Sequence, residues 1–239
     1  PTGIPTGSIF LHLASMPPRL LCLPGYLQNG RIFAEKSSGL RKLLTKKHGY
    51  ELDYLDPPII IEEKAHLPFC LAVDEAEAET KWKGIKELGV NRCWWQHKEP
   101  GVYEGFDRSL EFVTNYIQEH GPYDGIIGFS QGAAMAAIVT NTLHLGLVVV
   151  KALGNPQPEF SVAVLISGFV FVEPKDPARQ KEDINNDITD AAQYRDAVRI
   201  VPDFARYFAD ASNLSTQIVG VYGSEDGTVP PVRSKHTQR

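Results

Sequence analysis

Ser130 is the residue of this sequence with the clearest chemical context. It lies in Gly128-Phe129-Ser130-Gln131-Gly132, after a short apolar run that begins at Gly125 and before an alanine-rich run. The apolar run favours a strand and the alanine-rich run favours a helix, so the pattern predicts a strand, a sharp turn and a helix. Such a turn strains the serine backbone and lifts the hydroxyl above a sheet, where it can act as a nucleophile. The two glycines leave room for the strand and helix to approach.

Two other interpretations of this stretch fit less well. A G-x-S-x-G pattern arises by chance in a chain of this length roughly one time in ten, so an ordinary turn serine is one alternative. The flanking strand and helix count against it. A phosphate-binding loop is the other alternative, but it needs a Lys-Ser or Lys-Thr pair, and none follows Gly132. We therefore interpret Ser130 as a nucleophile.

Asp226 is the candidate acid that would support such a serine. A serine hydroxyl needs a general base to take its proton and a carboxylate to orient that base. Asp226 comes just after a strand predicted at Thr216 to Tyr222, in a turn that would hold its side chain above the sheet. A simple turn or capping aspartate is the alternative interpretation. Glu225 is the nearest rival, but a side chain at the neighbouring position would point elsewhere.

Strands and helices alternate around these two residues. Strands are predicted at Arg19 to Leu23, Tyr50 to Leu55, Gly125 to Phe129, Ser161 to Ser167 and Thr216 to Tyr222, and helices at residues 30–48, 106–120 and 131–140. Alternation of this kind predicts a mainly parallel sheet with the active-site loops at the carboxyl ends of its strands.

Two segments of mixed character, residues 59–105 and 169–215, interrupt this alternation, and we predict that they cover the site as caps. The first segment contains Trp82, Trp94 and Trp95. Packing within the inserted segment is one interpretation of these tryptophans, and direct contact with substrate is the other.

Composition narrows the class of protein. The 239 residues are 43% hydrophobic and 22% charged, which suffices for one sizeable core. A net charge of -5 gives no reason to expect nucleic acid or an anionic membrane as a partner. The three cysteines cannot all pair and lack metal-ligand spacing, so we expect no metal and a reducing, cytoplasmic compartment. Residues 1–15 repeat Pro-Thr-Gly and are interpreted as an N-terminal extension or expression remnant, ahead of one domain at residues 16–239.

Five stretches together resemble the FSH family of fungal serine hydrolases, which is related to the ovarian-cancer-associated hydrolase of animals. They are Leu23 to Gly30, Glu35 to Gly39, Gly121 to Ala134, Tyr222 to Pro230 and Arg233 to Lys235. The resemblance implies an α/β-hydrolase fold, with helices on both faces of the sheet and inserted caps. It also implies hydrolysis of a small ester or thioester through an acyl-serine intermediate, without a cofactor. Among related fungal enzymes, thioesterases that release acyl chains from a biosynthetic synthase suggest a narrower possibility.

The resemblance assigns roles to four residues. Ser130 is the nucleophile, Asp226 is the acid, and the backbone N–H groups of Tyr26 and Gln131 form the oxyanion hole. One departure from the family is Pro24-Gly25, where its members usually have His-Gly. Because the oxyanion donor is the following backbone amide, this change alters the loop without removing the donor.

The second departure concerns the catalytic histidine. In the family this base lies well after the acid, beyond another strand, and the sequence contains no such histidine. His236 follows Asp226 by ten positions, where a helix is expected to begin. We therefore expect a domain that is incomplete at its C-terminal end, with an uncovered sheet edge that favours poor stability or association. Two hypotheses remain, a serine hydrolase and a non-catalytic module that binds a small molecule or a protein, and a protein partner or homo-oligomer stays open.

Overall fold

A mainly parallel central sheet organises the computed structural model, which describes residues 16–97, 102–180, 184–185, 187–208, 213–224, 226 and 228–237. The strands are β1 (Arg19–Leu23), β2 (Glu51–Tyr54), β3 (Ile59–Ile60), β4 (Arg92–Cys93), β5 (Gln96–His97), β6 (Tyr103–Glu104), β7 (Gly125–Phe129), β8 (Lys151–Ala152), β9 (Asn155–Pro156), β10 (Val162–Ile166), β11 (Val172–Pro174), β12 (Val198–Ile200) and β13 (Gln217–Val221). The α-helices are α1 (Gly30–Lys36), α2 (Ser38–Lys42), α3 (Glu75–Glu87), α4 (Phe106–His120), α5 (Gln131–His144), α6 (Ala191–Ala197) and α7 (Pro231–Thr237). Short π or 3-10 turns lie at Leu43–Lys47, Lys64–His66 and Pro202–Tyr207.

The central sheet has five parallel strands in the order β13-β10-β7-β1-β2. Each of the five strands overlaps a strand predicted from the sequence, so the α/β class and the parallel sheet are confirmed. In the register, Ile166 of β10 is level with both Phe129 of β7 and Val221 of β13. The residues that follow these three strands therefore emerge side by side at one edge of the sheet.

The core lies between the sheet and the helices α4 and α5. The apolar positions of α4 that repeat at helical spacing, Phe106, Leu110, Val113 and Ile117, are all buried. Helix α5 is buried on most of its surface, because its alanine-rich sequence allows close approach to the strands β1, β7 and β10. Burial of these two faces fixes β7 and α5 against each other, and with them the turn that joins the two elements.

The first cap segment holds an element that the sequence analysis missed. Residues Glu75–Glu87 form helix α3, and the acidic run supplies its beginning, with Asp74 accepting a hydrogen bond from the Glu77 backbone at 2.9 Å. Only Ala78 and Trp82 of this helix are buried, so its apolar periodicity is too weak to predict a helix. Two further differences are that the helix predicted at residues 30–48 is divided into α1, α2 and a π turn, and that the predicted loop at residues 143–159 contains the hairpin of β8 and β9.

Within the described residues, no helix has the length and apolar character needed to cross a membrane. The same part of the chain contains no group of three or more His, Cys, Asp or Glu side chains that could hold a metal ion.

Candidate active site

Ser130 occupies the sharp turn between β7 and α5. Its backbone dihedrals are φ 52° and ψ −116°, which is a strained conformation for a residue other than glycine. The turn is held by the Ser130 N–H, which donates to the Ile166 carbonyl at 2.9 Å, and by the Ser130 carbonyl, which accepts from the Ala133 N–H at 2.9 Å. The strained geometry predicted for this serine is confirmed, and its side chain is half-buried.

The two glycines of the pattern are required by close packing of backbone on backbone. A Cβ atom added to Gly128 would lie 2.2 Å from the Gly132 carbonyl oxygen. One added to Gly132 would lie 2.1 Å from the Leu23 carbonyl oxygen and 2.4 Å from that of Pro24. Backbone atoms cannot give way as a flexible side chain can, so both positions exclude every residue larger than glycine.

Asp226 lies beyond β13 with both carboxylate oxygens engaged. Oδ1 accepts from the backbone N–H groups of Thr228 at 3.0 Å and Val229 at 2.9 Å, and Oδ2 accepts from the Ser167 hydroxyl at 2.8 Å. Partial burial raises the pKa of this carboxyl, but the three hydrogen bonds outweigh that effect, so its pKa lies below the usual aspartate range. Asp226 is therefore held as a carboxylate at neutral pH.

Ser167 is a site residue that the sequence analysis missed. It follows β10, between the strands that lead to Ser130 and Asp226, and it is 6% exposed. Its φ is 49°, and its N–H donates to the Val221 carbonyl at 2.7 Å. A second strained serine at the carboxyl edge thus directs its hydroxyl to the candidate acid. The available signal was the Ser-Gly pair at the end of a predicted strand.

The loop after β1 brings Tyr26 towards this turn. A Cβ atom added to Gly25 would meet the Phe129 ring at 2.8 Å and the Phe129 carbonyl oxygen at 3.3 Å, so the loop runs directly against the residue that precedes Ser130. The Gly25 N–H donates to Gln28 Oε1 at 3.0 Å, which folds the loop back on itself. Gln131 is the first residue of α5, where a backbone N–H lacks an acceptor within the helix.

The described histidines lie in other environments. His236 is on α7, with its ring edge-on to the Tyr194 ring at 5.9 Å. His144 Nδ1 is 2.8 Å from Glu159 Oε1, His97 and His120 contact tyrosine rings, and His48 and His66 are exposed. His12 and Glu225, the rival to Asp226, lie outside the described residues.

The tryptophans of the first cap segment are buried. Trp82 is 4% exposed, and Trp94 and Trp95 are both 0% exposed. Trp95 packs on aromatic rings from both cap segments, including Tyr103 and Phe171. This burial supports the packing interpretation of these side chains over direct contact with substrate.

A parallel sheet with a strained serine between a strand and a helix, together with a carboxylate at the same edge, defines an α/β-hydrolase. The chain belongs to the family described as "Serine hydrolase (FSH1)", whose sequence profile matches residues 14–237. It is therefore a serine hydrolase by family, and the predicted resemblance is confirmed.

Three relatives show how much of the chain is shared. It is 30% identical over 172 residues to Family of serine hydrolases 3 of Saccharomyces cerevisiae, covering 69% of this chain and 59% of that protein. It is 35% identical over 167 residues to human Esterase OVCA2, covering 65% and 66%. It is 32% identical over 169 residues to a Schizosaccharomyces pombe protein named dihydrofolate reductase, covering 67% and 33%. The chain thus spans between one third and two thirds of the length of these relatives, which include animal as well as fungal proteins.

Proposed function

We propose that the protein hydrolyses a small ester or thioester through an acyl-serine intermediate on Ser130. The observation that carries the proposal is the geometry of this serine, which is strained in the turn between β7 and α5. The Asp226 carboxylate follows β13, and β10 lies between β13 and β7 in the sheet. Strands in a sheet lie about 4.8 Å apart, so the loops after β7 and β13 are separated by about 10 Å. A separation of this size leaves room for an imidazole ring between serine and acid.

The proposed reaction has two halves, acylation and deacylation of Ser130. Asp226 and the backbone N–H groups of Tyr26 and Gln131 take part in both. A general base takes the proton of the Ser130 hydroxyl while Oγ attacks the carbonyl carbon, and the N–H groups of Tyr26 and Gln131 stabilise the tetrahedral oxyanion. The base then protonates the leaving alcohol or thiol, and the carbon–oxygen or carbon–sulfur bond breaks. Water repeats the sequence on the acyl-serine, which releases a carboxylic acid and restores the hydroxyl. Asp226 orients the base and stabilises its protonated form.

We infer that the base is not one of the described histidines. His236 is the candidate by chain order, but its ring packs on Tyr194, and the oxygens of Asp226 accept from Ser167, Thr228 and Val229. Removal of the triad histidine costs several orders of magnitude in turnover while the binding pocket and oxyanion hole remain. Slow turnover of esters by this protein follows from this inference.

The aromatic and apolar cap segments favour an acyl or aryl group over a charged polymer as the substrate. Hydrolysis of the thioesters that hold acyl chains on a biosynthetic synthase is one narrower form of the proposal. A reducing, cytoplasmic compartment is also proposed, supported by free thiols at Cys22, Cys70 and Cys93.

The test compares the protein with its Ser130→Ala variant on p-nitrophenyl esters and S-acyl thioesters of increasing chain length. We expect turnover that Ser130→Ala removes. His236→Ala is the control, and its turnover should match that of the unmodified protein. Activity that survives Ser130→Ala would contradict the proposal. Binding of an ester without turnover would favour the non-catalytic binding module.

A further inference from the structure

Trp94 links the two chain segments that carry the proposed oxyanion donors. Its indole Nε1–H donates to the Pro24 carbonyl at 2.8 Å, in the loop after β1. Its backbone N–H donates to Oε1 of Gln131 at 3.0 Å, at the beginning of α5. One buried residue is therefore bonded to the loop that leads to Tyr26 and to the residue that follows Ser130.

The rest of the Trp94 backbone is anchored as well. Its carbonyl accepts from the Ser109 hydroxyl of α4 at 2.5 Å. The Gln131 side chain, which is 7% exposed, also donates from Nε2 to the Trp95 carbonyl at 3.1 Å. Both ends of the Gln131 amide thus hold the Trp94-Trp95 segment against α5. Trp94 is in this way fixed relative to α4 and α5. Its indole hydrogen bond therefore holds Pro24 at a set position relative to both helices.

We propose that Trp94 is a positioning residue for oxyanion stabilisation, which sets the separation between the Tyr26 and Gln131 amides without touching the substrate. The inference rests on the proposed function. An oxyanion hole stabilises the transition state only when its donors are already placed 2.7–3.1 Å from the oxyanion, so a small shift of one segment weakens it. The loop after β1 has a strained residue of its own, Leu27 with φ 53°, and external bonds must hold that conformation. Trp94 supplies one of these bonds, at Pro24.

Trp95 provides a matched control for this role. It is the next residue, and it is also 0% exposed. Its indole Nε1 has no hydrogen-bond partner in the part of the chain that the structure describes. Replacement of either tryptophan by phenylalanine removes the same ring atoms from the same core, but only Trp94→Phe removes a hydrogen bond to the loop after β1.

The first experiment measures amide hydrogen exchange of residues 25–28 in the 239-residue protein, so it needs no catalytic activity. The reporter amides are Gly25, which donates to Gln28, and Leu27, which donates to the Arg92 carbonyl at 2.9 Å. We expect Trp94→Phe to speed their exchange by about tenfold and Trp95→Phe to leave it unchanged. Equal exchange in the two variants would overturn the proposal, because it would mean that Trp94 acts only by packing.

The second experiment measures kcat and KM of ester hydrolysis. We expect Trp94→Phe to lower kcat by about tenfold with KM unchanged, since the oxyanion forms only in the transition state. Gln131→Met keeps the backbone donor but removes both side-chain hydrogen bonds, and it should give the same pattern if Trp94→Phe fails to fold. A rise in KM with kcat unchanged would overturn the proposal. The exchange result does not depend on Ser130 chemistry, so failure of this inference and failure of the proposed function are distinguishable.

Discussion

The ionisation of Asp226 is the residue-scale property on which the proposed mechanism depends. An acid of this kind orients an imidazole only as a carboxylate, and Ser167, Thr228 and Val229 all donate hydrogen bonds that favour that form. The Ser167 bond is the one that a substitution can remove without altering the turn itself.

Ser167→Ala should raise the pKa of Asp226, because it removes a donor to the carboxylate. In the unmodified protein the pKa of Asp226 is lower in the folded state than in the unfolded chain. The carboxylate therefore stabilises the fold at pH values above the unfolded pKa, and this contribution is lost as pH falls through the folded pKa. In Ser167→Ala this contribution should be smaller, and its loss should be complete at a higher pH. Titration of the Asp226 carboxyl carbon by NMR, with thermal unfolding over the same pH range, measures both effects.

The control for this titration is Ser109→Ala, which removes a buried hydroxyl that bonds to Trp94 instead. It should leave the Asp226 titration in place. An unchanged Asp226 titration in Ser167→Ala would mean that the hydroxyl does not stabilise the carboxylate.

At the scale of elements, the turn between β7 and α5 requires close approach of a helix to the neighbouring strands. Two glycines in α-helices show this by contrast. A Cβ atom at Gly132 of α5 would lie 2.1 Å from a backbone oxygen of β1, whereas one at Gly84 of α3 would have nothing within 4 Å. The same substitution therefore has opposite expected effects on stability in the two helices.

Gly132→Ala should lower the free energy of unfolding by about 3 kcal/mol, because the clash is with backbone that cannot move away. Gly84→Ala should raise it by about 1 kcal/mol, since alanine is the better helix former. Urea denaturation of both variants measures the difference. Similar changes in the two would show that α5 does not approach β1 as closely as described.

The sheet ends at β13 in the described part of the molecule, and this edge bears apolar side chains. Ile218, Val219 and Val221 are between 36% and 48% exposed, and β13 pairs with β10 on its other side. An edge strand of this kind offers unpaired backbone groups to another chain. We therefore expect copies of this protein to associate with one another through β13.

Val219→Lys should reduce that association, since a charge on an edge strand opposes pairing with a second copy. Val149→Lys is the matched control, because Val149 is 72% exposed but lies outside the central sheet. Sedimentation velocity over a range of concentrations gives the oligomeric state of each variant. A monomeric unmodified protein, or equal association in both variants, would contradict a role for this edge.

Local sequence was sufficient to predict the parts of the molecule that have strong patterns. The strand, turn and helix around Ser130 were predicted from the Gly128 to Gly132 pattern together with the apolar run before it and the alanine-rich run after it. The five central strands and the buried face of α4 were predicted from apolar runs and helical spacing. Helix α3 was missed because it buries only Ala78 and Trp82.

The sequence by itself determined the fold class, the family and the candidate nucleophile, since each depends on residues that are neighbours in the chain. Only the tertiary structure decided which distant residues meet. The register of β7, β10 and β13 brings Ser167 to Asp226, 59 positions away, and burial of the tryptophans brings Trp94 to Pro24, 70 positions away. Such contacts depend on how the strands align and how the core closes, and no local pattern of residue types encodes that distance.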